Sequence, residues 1–78
     1  MAATRITAVQ LAELAQRVSK QLRGDLFVVV AGRYGYTAVD LYDKRGMVRT
    51  LSSGLSKRQA HDYLSAMYEA LYIVGRDA

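Results

Sequence analysis

The only histidine of the sequence, His61, is the first side chain to test for chemistry. One histidine cannot form a multi-histidine metal site within one chain, and the absence of cysteine excludes thiolate ligands and disulfides. His61 and Asp62 are neighbours in sequence, so on a helix they diverge and form no ready-made dyad. No nucleophile, base and orienting group stand at a spacing that hydrolysis needs. We therefore predict that the chain is not an enzyme and carries no cofactor or metal.

Phosphate-binding loops and paired carboxylates are also missing from the sequence. The segment Gly32-Arg33-Tyr34-Gly35 is too short for a phosphate-binding loop and lacks the required lysine and following helix. Asp40 and Asp43 are interpreted as a residue on the sheet surface and a turn former.

Six positive charges between positions 33 and 58 form a first candidate surface. The net charge of +4 and the pI near 9.7 permit a polyanionic partner. Turn tips and the start of a helix, whose free amides favour anions, could bring several of them together. Charged turn tips that contact only water explain the pattern about equally well. The predicted anion- or nucleic-acid-binding residues are Arg33, Lys44, Arg45, Arg49, Lys57 and Arg58.

Six tyrosines in 78 residues suggest a second surface, for contact with a protein. Tyrosine offers a large contact area at a small entropic cost. Four candidates share the outer side of the last predicted helix, and two lie on the predicted sheet. A solvated helix face, and tyrosines that merely flank a small core, are the alternative. The predicted protein-contact residues are Tyr36, Tyr42, His61, Ser65, Tyr68 and Tyr72.

Two capped helices are predicted to carry part of these surfaces. Residues 7–10 and 56–59 both fit the capping box, and the segments that follow have apolar residues at three- and four-residue steps. Gly24 and Gly75 provide natural stops. The helices are therefore expected over 7–23 and 56–74. Their apolar stripes are Leu11, Leu14, Ala15, Val18 and Leu22 in the first, and Ala60, Tyr63, Leu64, Met67, Leu71 and Val74 in the second.

Three strands are predicted between the helices, over 26–31, 36–42 and 47–52, with a break at Ser53-Gly54. The inward side of the third strand is ambiguous, because Met47 and Leu51 alternate in step with Arg49. The short connections force an antiparallel meander. We therefore predict one compact α+β domain over 1–78, ordered α-β-β-β-α, with both helices on one face of a three-stranded antiparallel sheet and the other face open.

Cellular location and assembly follow from the same composition. No early apolar run resembles a signal peptide, and the apolar runs are too short to span a bilayer. Together with the lack of cysteine, this predicts a cytoplasmic protein without membrane contact. A domain of this size has little core, so a homodimer formed through Tyr68, Tyr72 or the open sheet face is one alternative.

Gly54 and Ser56 precede Lys57-Arg58-Gln59-Ala60-His61 at the start of the last predicted helix. This start resembles that of the double-stranded RNA-binding domain, which has a Lys-Lys-x-Ala-Lys stretch that grips phosphates. The resemblance implies phosphate contacts at Lys57 and Arg58. His61 replaces the third basic residue, and the short turn between the first two strands lacks the family's Gly-Pro-x-His loop.

The glycine-punctuated hairpin, followed by a helix rich in Tyr, Met and Ala, is also similar to small proteins of phages and prophages. Some of these, anti-CRISPR proteins among them, inhibit host defence by binding. The resemblance implies a non-enzymatic protein that docks on a protein or nucleoprotein partner. Direct binding to the backbone of double-stranded RNA or DNA, and self-association, are the alternatives.

Overall fold

A computed structural model describes residues 6–77, with side chains to residue 75. Helix α1 (Ala8–Gln21) precedes strands β1 (Phe27–Arg33), β2 (Tyr36–Asp43) and β3 (Gly46–Leu55), and helix α2 (Lys57–Asp77) follows them. The strands form one antiparallel sheet in the order β1-β2-β3. The predicted α+β class and the predicted order of elements are confirmed.

Both helices begin at their predicted capping boxes. The Thr7 hydroxyl accepts a hydrogen bond from the Gln10 amide at 3.2 Å, and the Gln10 side chain accepts one from the Thr7 amide at 2.8 Å. Ser56 and Gln59 form the same pair of bonds at 3.1 and 2.8 Å. Because each box satisfies two otherwise unpaired amides, local sequence is enough to fix where the helices start.

The helix ends differ from the prediction. α1 stops at Gln21 because Leu22 is already extended and its amide bonds the carbonyl of Ser19. The predicted end at 23 is therefore two residues too late. α2 runs through Gly75 to Asp77, beyond the predicted end at 74. Glycine permits a helix to end but does not force it to, so a glycine alone locates a helix end poorly.

Two tight turns join the strands. Tyr34 and Gly35 both have positive φ, at 53° and 79°, which is the signature of a two-residue type I′ turn. This turn lets β1 continue to Arg33 instead of ending at the predicted residue 31. At the second turn, Asp43 accepts a hydrogen bond from the Arg45 amide at 2.7 Å, so Asp43 is a turn former as predicted.

β3 is longer and more irregular than predicted. It passes through the predicted break and carries three register shifts against β2, and Gly54 has a φ of 68°. Bulges interrupt the strict alternation of side chains, which explains why the inward side could not be assigned from the sequence. Leu51 and Leu55 pack on the core, whereas Thr50 bonds to Asp40 on the opposite face.

The core lies between the two helices and one face of the sheet. α1 packs on β1 and on α2, whereas α2 touches β2 and β3 more sparsely. The result is a flat molecule of 41 × 30 × 17 Å. Val74, predicted in the core stripe, is instead 65% exposed, since the last turns of α2 pass beyond the packed region. The buried core residues are Leu11, Ala15, Val18, Val28, Val39, Ala60 and Leu64.

Candidate interaction surfaces

Asp40 lies in the middle strand on the sheet face opposite the helices, yet it is fully buried. Arg33 donates to its two carboxylate oxygens at 3.1 and 2.5 Å, and the Thr50 hydroxyl donates at 2.9 Å. Asp40 therefore lies on the predicted face of the sheet, but it is not the exposed surface residue that was predicted. Arg33 lies on the neighbouring strand β1 and covers the carboxylate of Asp40. The two residues are seven positions apart in the sequence, so the sequence alone did not reveal this contact.

The ionisation of Asp40 is set by opposing effects. Burial raises the pKa of its carboxyl, but the hydrogen bonds from Arg33 and Thr50 and the charge of Arg33 lower it, and the net pKa lies below the ordinary 3.8. The hydrogen bond to Asp40 in turn raises the pKa of Arg33. Both groups are therefore charged at neutral pH, and a carboxylate that already accepts three donors serves as a structural ion pair.

The six predicted anion-binding residues lie in two groups at opposite ends of the sheet. Lys44 and Arg45 form the turn after β2, and Arg49 pairs opposite Leu41 near that end. Lys57 and Arg58 follow β3, which ends opposite Thr37 at the other end, the end that also holds Arg33. Six residues of β2 separate the two ends, which is about 20 Å at 3.4 Å per residue. The predicted residues do not form a single patch.

Three of these cations have carboxylate neighbours. Arg33 is held by the buried Asp40, whereas the Lys44–Asp25 pair (3.7 Å) and the Arg58–Asp62 pair (4.0 Å) are exposed. Exposed pairs of this kind are weak and screened by salt, so they leave Lys44 and Arg58 able to contact an anion. Among the described residues, Arg33 is the one candidate whose charge is already neutralised in a buried contact.

The α2 stripe predicted to face outward is mostly half-buried. His61 lines two small crevices together with Gln10 of α1, and Tyr68 packs against the core. Ser65 is also half-buried, so these three side chains are less open to solvent than predicted. The reason is that α1 lies beside this flank of α2. Tyr72 is 51% exposed and stacks on Tyr68, with ring centroids 6.4 Å apart.

Further large apolar side chains are exposed at the end of α2 and on the sheet. The end of α2 presents Ile73 and Val74, which are 52% and 65% exposed and adjoin Tyr72. The sheet exposes Tyr36 and Met47, while Tyr42 is half-buried and stacks on Phe27 at 5.6 Å. The predicted sheet tyrosines thus differ, Tyr36 being open to a partner and Tyr42 being partly enclosed.

One feature that the sequence did not predict is a groove of about 600 Å³ between α1 and the outer strand β1. Alanines 8, 12 and 15 of α1 form one wall, and residues 27–32 of β1 form the other. Two features of the sequence could have indicated this groove. The apolar run of β1 does not alternate with polar residues, and the alanines of α1 lie next to its apolar stripe. Small residues beside an apolar stripe leave room for a further chain segment.

No protein-family model, curated protein or solved structure matches this chain. The two resemblances noted in the sequence therefore stay predictions. Over residues 6–77, no helix combines the length and apolarity needed to cross a membrane. The same part of the chain brings no three acidic or histidine side chains together around a common point.

Proposed function

We propose that this chain is a small binding protein without catalytic activity that docks on a protein or nucleoprotein partner. Its action would be that of a phage- or prophage-type inhibitor of a host defence complex. A binding role needs exposed anchoring side chains and no reactive centre. The buried Asp40 fits this role, because its carboxylate is occupied by Arg33 and Thr50 and is not free to act as a base.

The exposed apolar end of α2 is the observation that carries the proposal. Tyr72, Ile73 and Val74 are each at least half exposed and surround the end of a helix that extends past the core, since consecutive helical residues point to different sides. Large apolar residues exposed together at one end of a small protein mark contact sites, and aromatic residues are enriched at the centres of such contacts. A partner that buries this end would remove the unfavourable exposure.

Capture of a partner from bacterial lysate tests the proposal, with the native chain and Val74→Glu as baits. The control is Val9→Glu, because Val9 is a helical valine on α1 with the same exposure, 66% against 65%. We expect the native chain and Val9→Glu to enrich the same partner, as measured by mass spectrometry, and Val74→Glu to enrich it about tenfold less. Parallel samples treated with nuclease separate a protein partner from one recruited through nucleic acid.

Two results would contradict the proposal. One is no enrichment over an empty bait, and the other is equal loss of the partner with Val9→Glu and Val74→Glu. Circular dichroism of both variants checks that they are folded, which is expected because single exposed substitutions usually change stability by less than about 0.5 kcal/mol.

Direct binding to a nucleic-acid backbone is the second candidate. It is favoured by the start of α2, where Lys57 and Arg58 occupy the first turn without any acidic residue. Helix N-termini attract phosphate, and added cations strengthen that attraction.

Salt dependence tests this candidate on double-stranded RNA and DNA of mixed sequence. We expect affinity to fall steeply as salt rises, and the slope to become shallower by about two when Lys57→Gln and Arg58→Gln are combined. The control is Lys20→Gln with Arg23→Gln, which removes the same charge near the end of α1. Lack of binding to either nucleic acid at low salt would exclude direct binding.

A further inference from the structure

β1 is an outer strand whose edge is open beyond Val28. Outer strands are usually protected by proline, bulges or charged side chains, because their free amides and carbonyls attract other strands. β1 pairs with β2 in an uninterrupted register, has no proline, and carries a charge only at its last residue, Arg33. The opposite outer strand, β3, has three irregularities. The two edges of the sheet are therefore unequal, and only β1 presents a regular one.

The hydrogen-bonding groups on that edge can be assigned. The Val28 amide donates to the Ser19 hydroxyl of α1 at 2.9 Å, so it points away from β2. Backbone direction alternates along a strand, so the amides of Val30 and Gly32 point outward as well. The two-residue turn agrees with this, because it makes Arg33 and Tyr36 the hydrogen-bonded pair next to the turn. Within the described residues, no backbone partner outside the sheet reaches Val30 or Gly32.

The groove beside this edge is mostly apolar along its length and basic at its ends. Lys20 lines it at the end of α1, and Lys57 lines it near Gly32. Neither lysine has an ion-pair partner among the described residues, and no acidic side chain from that part of the chain lines the groove. An occupant of this groove should therefore be apolar in the middle and negatively charged toward its ends.

This charge pattern selects between two occupants. If two copies paired antiparallel through β1, Lys20 of each copy would approach Lys57 of the other, and no carboxylate of the groove would offset the repulsion. An extended segment of another protein, with carboxylates on either side of an apolar stretch, meets no such penalty. Its alternate side chains would lie against the alanines of α1, and its backbone would satisfy Val30 and Gly32.

We propose that the β1 edge and the adjoining groove bind an extended, acid-flanked apolar segment of a partner protein, which joins the sheet as a fourth strand. This inference rests on the proposed function and assigns it a second contact surface, separate from the end of α2. The groove follows residues 27–32, so the bound segment is about six residues long.

Peptide selection on the intact chain provides the probe. A random peptide library is displayed on phage, with peptides long enough to span the groove and extend past both lysines. We expect enriched sequences to alternate β-branched or aromatic residues with others and to place Asp or Glu at the flanks. The best sequence is synthesised, labelled and titrated by fluorescence polarisation.

Ala12→Gln and Ala70→Gln are the matched variants for this titration. Both alanines are exposed on helices, but Ala12 lines the groove and Ala70 does not. Ala12→Gln should weaken peptide binding about tenfold, and Ala70→Gln should change it less than about twofold. Combined Lys20→Glu and Lys57→Glu should weaken peptide binding, and the effect should be largest at low salt. The control is Lys44→Glu with Arg45→Glu, which makes the same charge change away from the groove and should weaken binding less.

Amide hydrogen exchange tests the assigned geometry directly. Bound peptide should slow exchange at Val30 and Gly32, with little change at Val29 and Ala31, whose amides already face β2. Protection of all four amides to the same degree would contradict strand addition. Enriched peptides that Ala12→Gln does not affect, or no enrichment at all, would also overturn the proposal.

Two further outcomes separate this inference from the proposed function. Light scattering that shows a dimer dissolved by Ala12→Gln would make a second copy the occupant and overturn the proposal. If the lysate partner is captured equally by the native chain and by Ala12→Gln but lost with Val74→Glu, the groove assignment fails while the proposed function stands. If the peptide binds as expected but no lysate protein is captured, the proposed function fails instead.

Discussion

At the scale of single residues, the Arg33–Asp40 pair separates what the sequence can show from what it cannot. The alternation of β2 places Asp40 on the sheet face away from the helices, and this was predicted correctly. Its burial depends on Arg33, which reaches it from β1, and on Thr50 of β3. Contacts between strands depend on register, and register was not readable beyond the turns.

Replacing Arg33 should change how stability depends on pH. In the native chain the lowered pKa of Asp40 stabilises the fold above the ordinary value of 3.8, and this stabilisation is lost as pH falls through the lowered pKa. In Arg33→Gln the burial of Asp40 remains without its cation, so the pKa of that carboxyl should be raised. The variant should be less stable at pH 7, and the difference should shrink toward pH 3. Urea unfolding between pH 3 and 7 measures this difference.

Arg58→Gln is the control, since the pair that it breaks with Asp62 is exposed. Its difference from the native chain should be small at every pH. If Arg33→Gln differed from the native chain by a constant amount from pH 7 to pH 3, the proposed role of Arg33 in holding Asp40 ionised would be wrong.

Tyr34 should be replaceable with a gain in stability. Its φ of 53° is unfavourable for a tyrosine, and its side chain is 98% exposed, so little packing compensates. Tyr34→Asn should raise the free energy of unfolding by about 0.5–1 kcal/mol, because asparagine tolerates this conformation. Tyr36→Asn, in the extended strand next to it, should lower that energy. A loss of stability with Tyr34→Asn, measured by urea unfolding, would show a packing role for the ring.

At the scale of elements, the sequence predicted helix starts well and strand lengths poorly. Capping boxes depend on side chains three residues apart, so Thr7 and Ser56 could be recognised locally. The length of β3 depends on bulges, because its residues 46–55 pair with the shorter stretch 37–43 of β2. The groove was missed for the same reason, because it exists only once α1 has been placed beside β1.

Two glycine substitutions should have opposite effects. Gly54 has a positive φ in β3, whereas Gly75 is helical, and a Cβ at either would meet no atom within 4 Å. Gly54→Ala should therefore cost about 1 kcal/mol through backbone strain alone, while Gly75→Ala should gain up to about 1 kcal/mol. Thermal unfolding of the two variants measures the difference. Equal shifts of the same sign would contradict the assigned conformation of Gly54.

At the scale of the whole molecule, the chain exposes more surface than its mass requires. Its accessible area is 5866 Å², about a quarter above the ~4,700 Å² expected of a monomeric protein of 8.7 kDa. The excess, about 1,100 Å², exceeds the ~800 Å² that one partner contributes to an ordinary protein interface. A flat shape and an exposed end of α2 both offer surface to a partner, which favours a binding role.

The separation of the two cationic groups should make their effects independent. They lie about 20 Å apart, which is more than two Debye lengths at physiological salt. On a heparin column, Lys44→Gln with Arg45→Gln and Lys57→Gln with Arg58→Gln should each lower the eluting salt concentration. The variant that combines all four substitutions should lower the eluting salt concentration by the sum of the two shifts. A shift much larger than that sum would indicate that one polyanion segment contacts both groups together.

The inequality of the two sheet edges also limits how far the sheet can grow. A protein with two regular edges can add strands on both sides, and repeated addition leads to fibres. This chain has one regular edge in β1, while the bulges of β3 disrupt the other. If a partner strand joins β1 as proposed, this chain has no second regular edge in the described sheet. It would then not link two partner strands into a growing polymer.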